Sequence, residues 1–183
     1  ANTTGESNMG FGTYSLSSNT TGNYNIASGF YALFSNTTGS ANSASGYKAL
    51  YSTTTGSFNG AFGYRALFSN TTGAYNFGAG ITALTANTTG NNNVAMGAEA
   101  LLSNTTASYG IAFGSEALRS NTTGTANTGI GFRAGYSTTT GSYNTSIGYK
   151  ALFSNVSGSN NFGLGYEAGY FETGSNKLYI ANS

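Results

Sequence analysis

A glycine returns every 17 residues along this chain, and that period restricts the fold more than any other feature. One series runs Gly5, Gly22, Gly39, Gly56, Gly73, Gly90, Gly124, Gly141 and Gly158, with Ala107 in its single gap. A second has the same step and no exception: Gly12, Gly29, Gly46, Gly63, Gly80, Gly97, Gly114, Gly131, Gly148 and Gly165. The shared phrase is Asn, any residue, Ala, an apolar residue, Gly, then Tyr, a charged residue, Ala-Leu, an aromatic and Ser-Asn-Thr-Thr-Gly. Helical-hairpin repeats need about 33–47 residues and propeller blades about 40 or more, so neither fits. Seventeen residues suit the perimeter of one coil of a parallel β-solenoid, with two short strands joined by two turns. At the strand spacing of about 4.8 Å, ten coils make an all-β rod roughly 48 Å long. Residues 1–170 keep the phase; residues 171–183 break it and read as a cap or exit segment. Ala1 opens in mid-phrase, which points to a piece of something longer.

Parity assigns the faces. Two residues before the invariant glycine the side chain is always small: Gly10, Ala27, Ala44, Ala61, Gly78, Ala95, Ala112, Gly129, Ser146, Gly163. Alternation along a strand puts that glycine on the same face. The opposite face is bulky in many coils, as in Met9 with Phe11, Val94 with Met96, Ile111 with Phe113 and Phe162 with Leu164. So short a coil closes on a thin interior that accepts Ala and Gly but little more. The bulky face then points outward, where a continuous apolar stripe is unfavourable in water. Burial against further copies resolves this, and three chains close around one axis as a homotrimer. The reverse arrangement, bulk inside and glycine outside, stays open at this stage. A second strand is expected over the column Ala32, Ala49, Ala66, Ala83, Ala100, Ala117, Ala134, Ala151 and Ala168. Leucine follows in most coils, with Gly135 and Gly169 as departures. Asn8, Asn25, Asn42, Asn59, Asn76, Asn93, Asn127, Asn144 and Asn161 form a stackable column broken at Gly110, suited to bonding turn backbones.

Charge is scarce. Only 6 % of the 183 residues are charged, for a net +1, against about 25 % in ordinary domains. That balance excludes the electrostatic footprint of a nucleic-acid binder. Cysteine, histidine, proline and tryptophan are absent, so disulfides and thiolate chemistry are excluded. No apolar run is long enough to span a membrane. Abundant Gly, Asn, Ser and Thr would fit a disordered tract, but 14 Tyr and 12 Phe in register argue for a packed fold.

The stretches Asn92 to Leu101, Gly110 to Leu118 and Asn144 to Leu152 resemble the head repeats of trimeric autotransporter adhesins, which are left-handed parallel β-rolls. The whole phrase, with its Ser-Asn-Thr-Thr-Gly, is also similar to shaft repeats of phage tail fibres and related bacterial surface fibres. Gly174 to Ser183 resembles the segment that leads into the self-cleaving chaperone domain of such fibres. Adhesin heads use a slightly shorter repeat. The resemblance implies an extracellular or virion-surface location, a trimer and no catalytic residues.

Read from the residues themselves, the chemistry is thin. Glu6, Glu99, Glu116, Glu167 and Glu172 are the only acids. Glu99 and Glu116 fall one coil apart, near the spacing of a retaining glycosidase pair, yet they belong to a variable column shared by Lys48, Arg65, Arg133, Lys150 and Glu167. That column reads as a solvated edge, or as a source of ion pairs between chains. No catalytic, metal or cofactor site is expected. Asn2, Asn19, Asn36, Asn70, Asn87, Asn104, Asn121, Asn155 and Asn144 open glycosylation sequons, although Asn and Gly here suit turns. Thr20, Thr37, Thr54, Thr71, Thr88, Thr105, Thr122 and Thr139 would align as a surface ladder able to order water and bind ice. The column Phe34, Tyr51, Phe68, Tyr136, Phe153 and Tyr170 offers either packing or a platform for a cell-surface glycan. The expectation is a homotrimeric shaft segment of an extracellular fibre or adhesin, with an ice-binding solenoid as the alternative.

Overall fold

The computed structural model describes residues 2–181. It has eleven strands: β1 (Met9–Phe11), β2 (Ile26–Ser28), β3 (Ser43–Ser45), β4 (Gly60–Phe62), β5 (Phe77–Ala79), β6 (Val94–Met96), β7 (Ile111–Phe113), β8 (Thr128–Ile130), β9 (Thr145–Ile147), β10 (Phe162–Leu164) and β11 (Leu178–Ile180). They form one parallel sheet in sequence order. Register advances one full repeat per coil, as in Ala27↔Ala44 and Ala95↔Ala112. The last step, Phe162↔Leu178, is one residue shorter. The phase break near Phe171 therefore lies within a coil, and β11 stays in the sheet. The β-solenoid expected from the period is present.

Each coil contains one strand of three residues, not two strands. The stretch carrying the Ala-Leu pair is a ribbon of turns, because left-handed residues alternate along it: Tyr31 has φ 58° and Leu33 φ 50°. A flat strand sends neighbouring side chains to opposite faces, whereas here Ala32 and Leu33 are both fully buried. Non-glycine residues in this conformation cost about 1 kcal/mol or more each. Backbone pairing between coils offsets the cost. The Tyr31 N–H donates to Thr13 of the coil before, and the Leu33 N–H donates to Ala49 of the coil after.

The small-face assignment holds: Ala27, Ala44, Ala61, Ala95 and Ala112 are buried, while Met9, Ile26, Phe62 and Met96 beside them are exposed. Two expectations need correction. The interior takes more than Ala and Gly, for Leu33, Leu50, Leu67, Leu84, Leu101, Leu118 and Leu152 are fully enclosed. These leucines reach across to the strand; a Cβ on Gly78 would lie 3.5 Å from Leu67 Cγ. The invariant glycine after each strand does not share the buried face either. Gly29 is half-buried with φ 139°, at the bend that leaves the strand.

Asparagine fills the remaining interior as two ladders. In the first, Asn25 Nδ2 donates to Asn8 Oδ1 (3.1 Å) and Gly39 O (2.8 Å), while its Oδ1 accepts the Asn42 N–H (3.0 Å). These amides bond turn backbones, as expected. In the second, Asn36 Nδ2 donates to Asn19 Oδ1 (2.8 Å) and also to Gly39 O (2.9 Å). One turn carbonyl thus ties both ladders together. Thr53 and Thr138 interrupt the second ladder, and both hydroxyls are buried without a partner, as is Asn36 Oδ1 below Thr53. Thr53→Asn should supply that missing donor. The expected result is a gain of about 1–2 kcal/mol, since a buried unpaired group costs roughly that much, read as a higher urea midpoint at unchanged slope.

Candidate binding surfaces

Three surfaces follow from this coil. The first is the outer face of the sheet. With the middle residue of each strand turned inward, its two neighbours turn out, and Met9, Phe11, Ile26, Ile111, Ile130 and Leu164 all stand exposed. Phe11 is 60 % exposed. The stripe runs from β1 to β11; both outward residues are serine in β3, and one of the two is small or polar (Ser28, Gly60, Ala79, Thr128, Thr145) in five other strands.

The second surface carries the aromatics. Phe34, Tyr51 and Phe68 stack with centroids 5.2 and 5.1 Å apart and planes within 7°. Tyr136, Phe153 and Tyr170 do the same at 5.1 and 4.9 Å. The expected column therefore packs within the chain. Sequence reasoning missed its twin, directly after the invariant glycine: Phe30, Tyr47 and Tyr64 at 5.8 and 5.2 Å, and Phe132, Tyr149 and Tyr166 at 5.6 and 5.1 Å. The signal was the repeated Gly-Tyr. Centroid separations above the roughly 3.5–4 Å of face contact mean offset stacking. Ring faces cover one another and edges meet solvent.

The charged column lies between these ladders. It pairs within the chain: Arg133 Nε with Glu116 at 3.1 Å, and Arg119 Nε with Glu99 at 2.6 Å. The hydrogen bond to Glu99 pushes Arg119 above the ordinary guanidinium value, and Glu116 does the same for Arg133. Glu99 and Glu116 thus each face an arginine. Lys48 lies 5.3, 5.4 and 5.8 Å from the ring centres of Tyr47, Tyr51 and Tyr31, and the Arg65 guanidinium carbon is 4.3 Å from that of Phe68.

The third surface is the Asn-Thr-Thr turn. Thr20, Thr37, Thr54, Thr71, Thr88, Thr105, Thr122 and Thr139 do align, but each hydroxyl donates to the carbonyl one coil on, as Thr20 to Thr37 O at 2.9 Å and Thr139 to Val156 O at 3.1 Å. They are mostly half-buried. The exposed row is the second threonine, Thr21, Thr38, Thr55, Thr72, Thr89, Thr106, Thr123 and Thr140, which the sequence reading passed over. The sequon asparagines Asn19, Asn36, Asn70, Asn87, Asn104, Asn121, Asn144 and Asn155 are buried in the ladders, so the folded rod hides them from glycosylation.

At the end of the rod, Gly169, Tyr170, Phe171, Glu172 and Tyr179 line a cleft of about 320 Å³. The Glu172 carboxylate accepts from the Tyr179 hydroxyl and the Gly174 N–H. The tyrosine first, then that backbone group, hold Glu172 below the usual carboxylate range, and the same bond raises Tyr179. Among the described residues no three His, Cys, Asp or Glu side chains gather as for a metal, and no helix is long and apolar enough to cross a membrane. Asn182 and Ser183, at the end of the Gly174 to Ser183 stretch, lie outside the described residues.

Comparison with protein families, curated proteins and solved structures found no match to this chain.

Proposed function

We propose that this solenoid is a shaft or spacer segment of an extracellular fibre or adhesin, self-associated as a homotrimer along its strand faces. The apolar stripe from Met9 to Ile180 supports this most. Its exposed Phe, Ile, Met and Leu side chains are chemically those of a protein interior, and a homomeric interface is the setting that accommodates them. Ladders of asparagine, backbone and stacked rings running between coils give each rod lateral stiffness. The mechanism is mechanical: the segment holds another part of a fibre at a distance.

Light scattering on a chromatographed sample tests the reading. A mass near three times 18.6 kDa is expected, and Phe113→Asp, which places a charge in the stripe, should lower it without altering the circular dichroism. A wild-type monomer overturns the trimeric shaft. A second reading, an ice-binding solenoid, draws on the exposed row from Thr21 to Thr140. It requires a monomer that slows ice growth and loses the effect in Thr72→Tyr/Thr89→Tyr.

A further inference from the structure

We propose that the coils carrying Lys48 and Arg65 form a binding site for an acidic saccharide chain, bearing carboxylate or sulfate groups, laid along the rod. The inference uses one lateral face of a single protomer and goes beyond the shaft reading.

The charge distribution is the first ground. No acidic residue occurs between Glu6 and Glu99, so that half of the rod carries Lys48 and Arg65 with no counter-charge. Further along, Arg119 and Arg133 are each paired with a glutamate. Among the described residues Lys48 and Arg65 take part in no ion pair, and Arg65 Nε is covered without any acceptor. Unpaired cations at neighbouring coils, about 4.8 Å apart in height, form a local anion site in a protein otherwise almost uncharged.

The surrounding rings are the second ground. Lys48 sits between the Phe30–Tyr47–Tyr64 and Phe34–Tyr51–Phe68 ladders, within cation–π range of three tyrosines. The Arg65 guanidinium carbon sits 4.3 Å from the Phe68 ring centre, a contact that holds the guanidinium in place while its Nη groups can meet an oxyanion. A site held ready in this way loses little side-chain freedom on binding.

Ring geometry then chooses the ligand. Nucleic-acid platforms stack bases on ring faces, but here neighbouring rings cover one another's faces at planes within 9°, leaving only the end faces of each three-ring stack. Solvent meets ring edges, whose partial charge is positive, together with the exposed flanks of Tyr47 and Tyr64. Anionic groups, hydroxyls and C–H groups fit that surface; aromatic bases do not. An acidic saccharide has all three features.

The molecule contains its own control. Arg133 and Lys150 lie between equivalent ladders, but Glu116 pairs with Arg133 and Glu167 lies next along the column. Affinity electrophoresis of the full chain at low salt should show retardation by polygalacturonate or dextran sulfate and none by neutral dextran. Lys48→Gln/Arg65→Gln should weaken retention about tenfold or more, as expected for the loss of charge-assisted hydrogen bonds, with the melting curve unchanged. Arg133→Gln/Lys150→Gln should stay within about threefold of wild type, because Arg133 is paired with Glu116 and Lys150, though in no ion pair itself, has the Glu167 carboxylate one coil away to offset its charge. Lys48→Arg should retain binding. No retardation by either polymer, equal losses in the two double variants, or equally tight retention by oligothymidylate would overturn the proposal. Light scattering on the same samples reads the oligomer separately, so this site and the shaft reading fail independently.

Discussion

Gly97→Ala is expected to destabilise the rod by about 3 kcal/mol or more, enough to move the urea midpoint well below that of any surface variant. Two costs combine. Gly97 has φ 136°, where a Cβ adds roughly 1–3 kcal/mol of backbone strain. That Cβ would also lie 2.5 Å from Gly114 O and 2.6 Å from its carbonyl carbon, an overlap with backbone that adds about 1–3 kcal/mol more. The column cannot yield locally, since Gly114 is itself stacked on Gly131. All ten of its members have φ between 113° and 141°. The other glycine column separates the two costs. A Cβ on Gly90 would fall 2.2 Å from Ala107 O, yet the chain itself places Ala107 in that column, at a position without positive φ. Crowding alone is therefore absorbed once. Gly124→Ala, whose Cβ would lie 2.1 Å from Gly141 O, carries the crowding without the backbone strain and should cost about 1–3 kcal/mol, less than Gly97→Ala. Equal losses at Gly97 and Gly124 would show that conformation is not what preserves the exceptionless column.

The same contrast explains which parts of the fold were legible. Period, parity and the small strand column are patterns of residue type, and the coil length, the parallel sheet and the outward bulk follow from them. The single strand per coil was hidden, because Tyr31 and Leu33 give no sign of left-handed backbone; residue type alone reads Ala-Leu-Phe as a strand. The leucine interior was hidden with it. Once the leucines are known to face the strand, the apparent departures become rules. Gly135 replaces leucine where the strand residue opposite is Ser146, with a built Cβ only 3.2 Å from its Oγ. Gly169 does so where Tyr179 fills the space, 2.8 Å from a built Cβ. At Gly169 the ring of Tyr179 takes up the space of the missing leucine, as dense packing requires; at Gly135 Leu118 Cδ2, 2.7 Å from the built Cβ, and the Ser146 Oγ close over the small residue. Among the binding surfaces, the aromatic column and the charged column were readable by period. The second aromatic ladder and the isolation of Lys48 and Arg65 had signals that were passed over, the repeated Gly-Tyr and the lack of any acid between Glu6 and Glu99; the exposed threonines had none, because their exposure depends on which neighbours a turn brings together. The second asparagine ladder was masked by its likeness to a glycosylation signal.

Asn42→Ala is the other substitution with a large expected effect, about 3 kcal/mol, and its size depends on the natural break at Thr53. Asn42 Nδ2 donates to Gly56 O at 2.9 Å and to Asn25 Oδ1 at 3.2 Å; its Oδ1 accepts the Asn59 N–H at 3.0 Å. Elsewhere a turn carbonyl has two asparagine donors, as Gly90 has from Asn76 and Asn87. Gly56 has only Asn42, since Thr53 occupies the second ladder there and makes no bond. Truncation would strand a buried carbonyl and a buried N–H, each at about 1–3 kcal/mol. Asn76→Ala strands only the Asn93 N–H, so it should cost roughly half as much by the same reckoning. The difference isolates the carbonyl. Adding Thr53→Asn to Asn42→Ala returns a donor to Gly56 and should recover more stability than Thr53→Asn gives alone, a coupling of about 1 kcal/mol in a double-mutant cycle. Additive effects would mean that water reaches the turn carbonyl and that the two ladders act independently. Asn42→Asp makes a complementary case. At neutral pH its carboxylate would face two acceptors, raising its folded pKa above the unfolded value. The penalty should then grow as pH rises through the unfolded carboxyl range near 4 and shrink below it, a dependence that Asn42→Ala lacks.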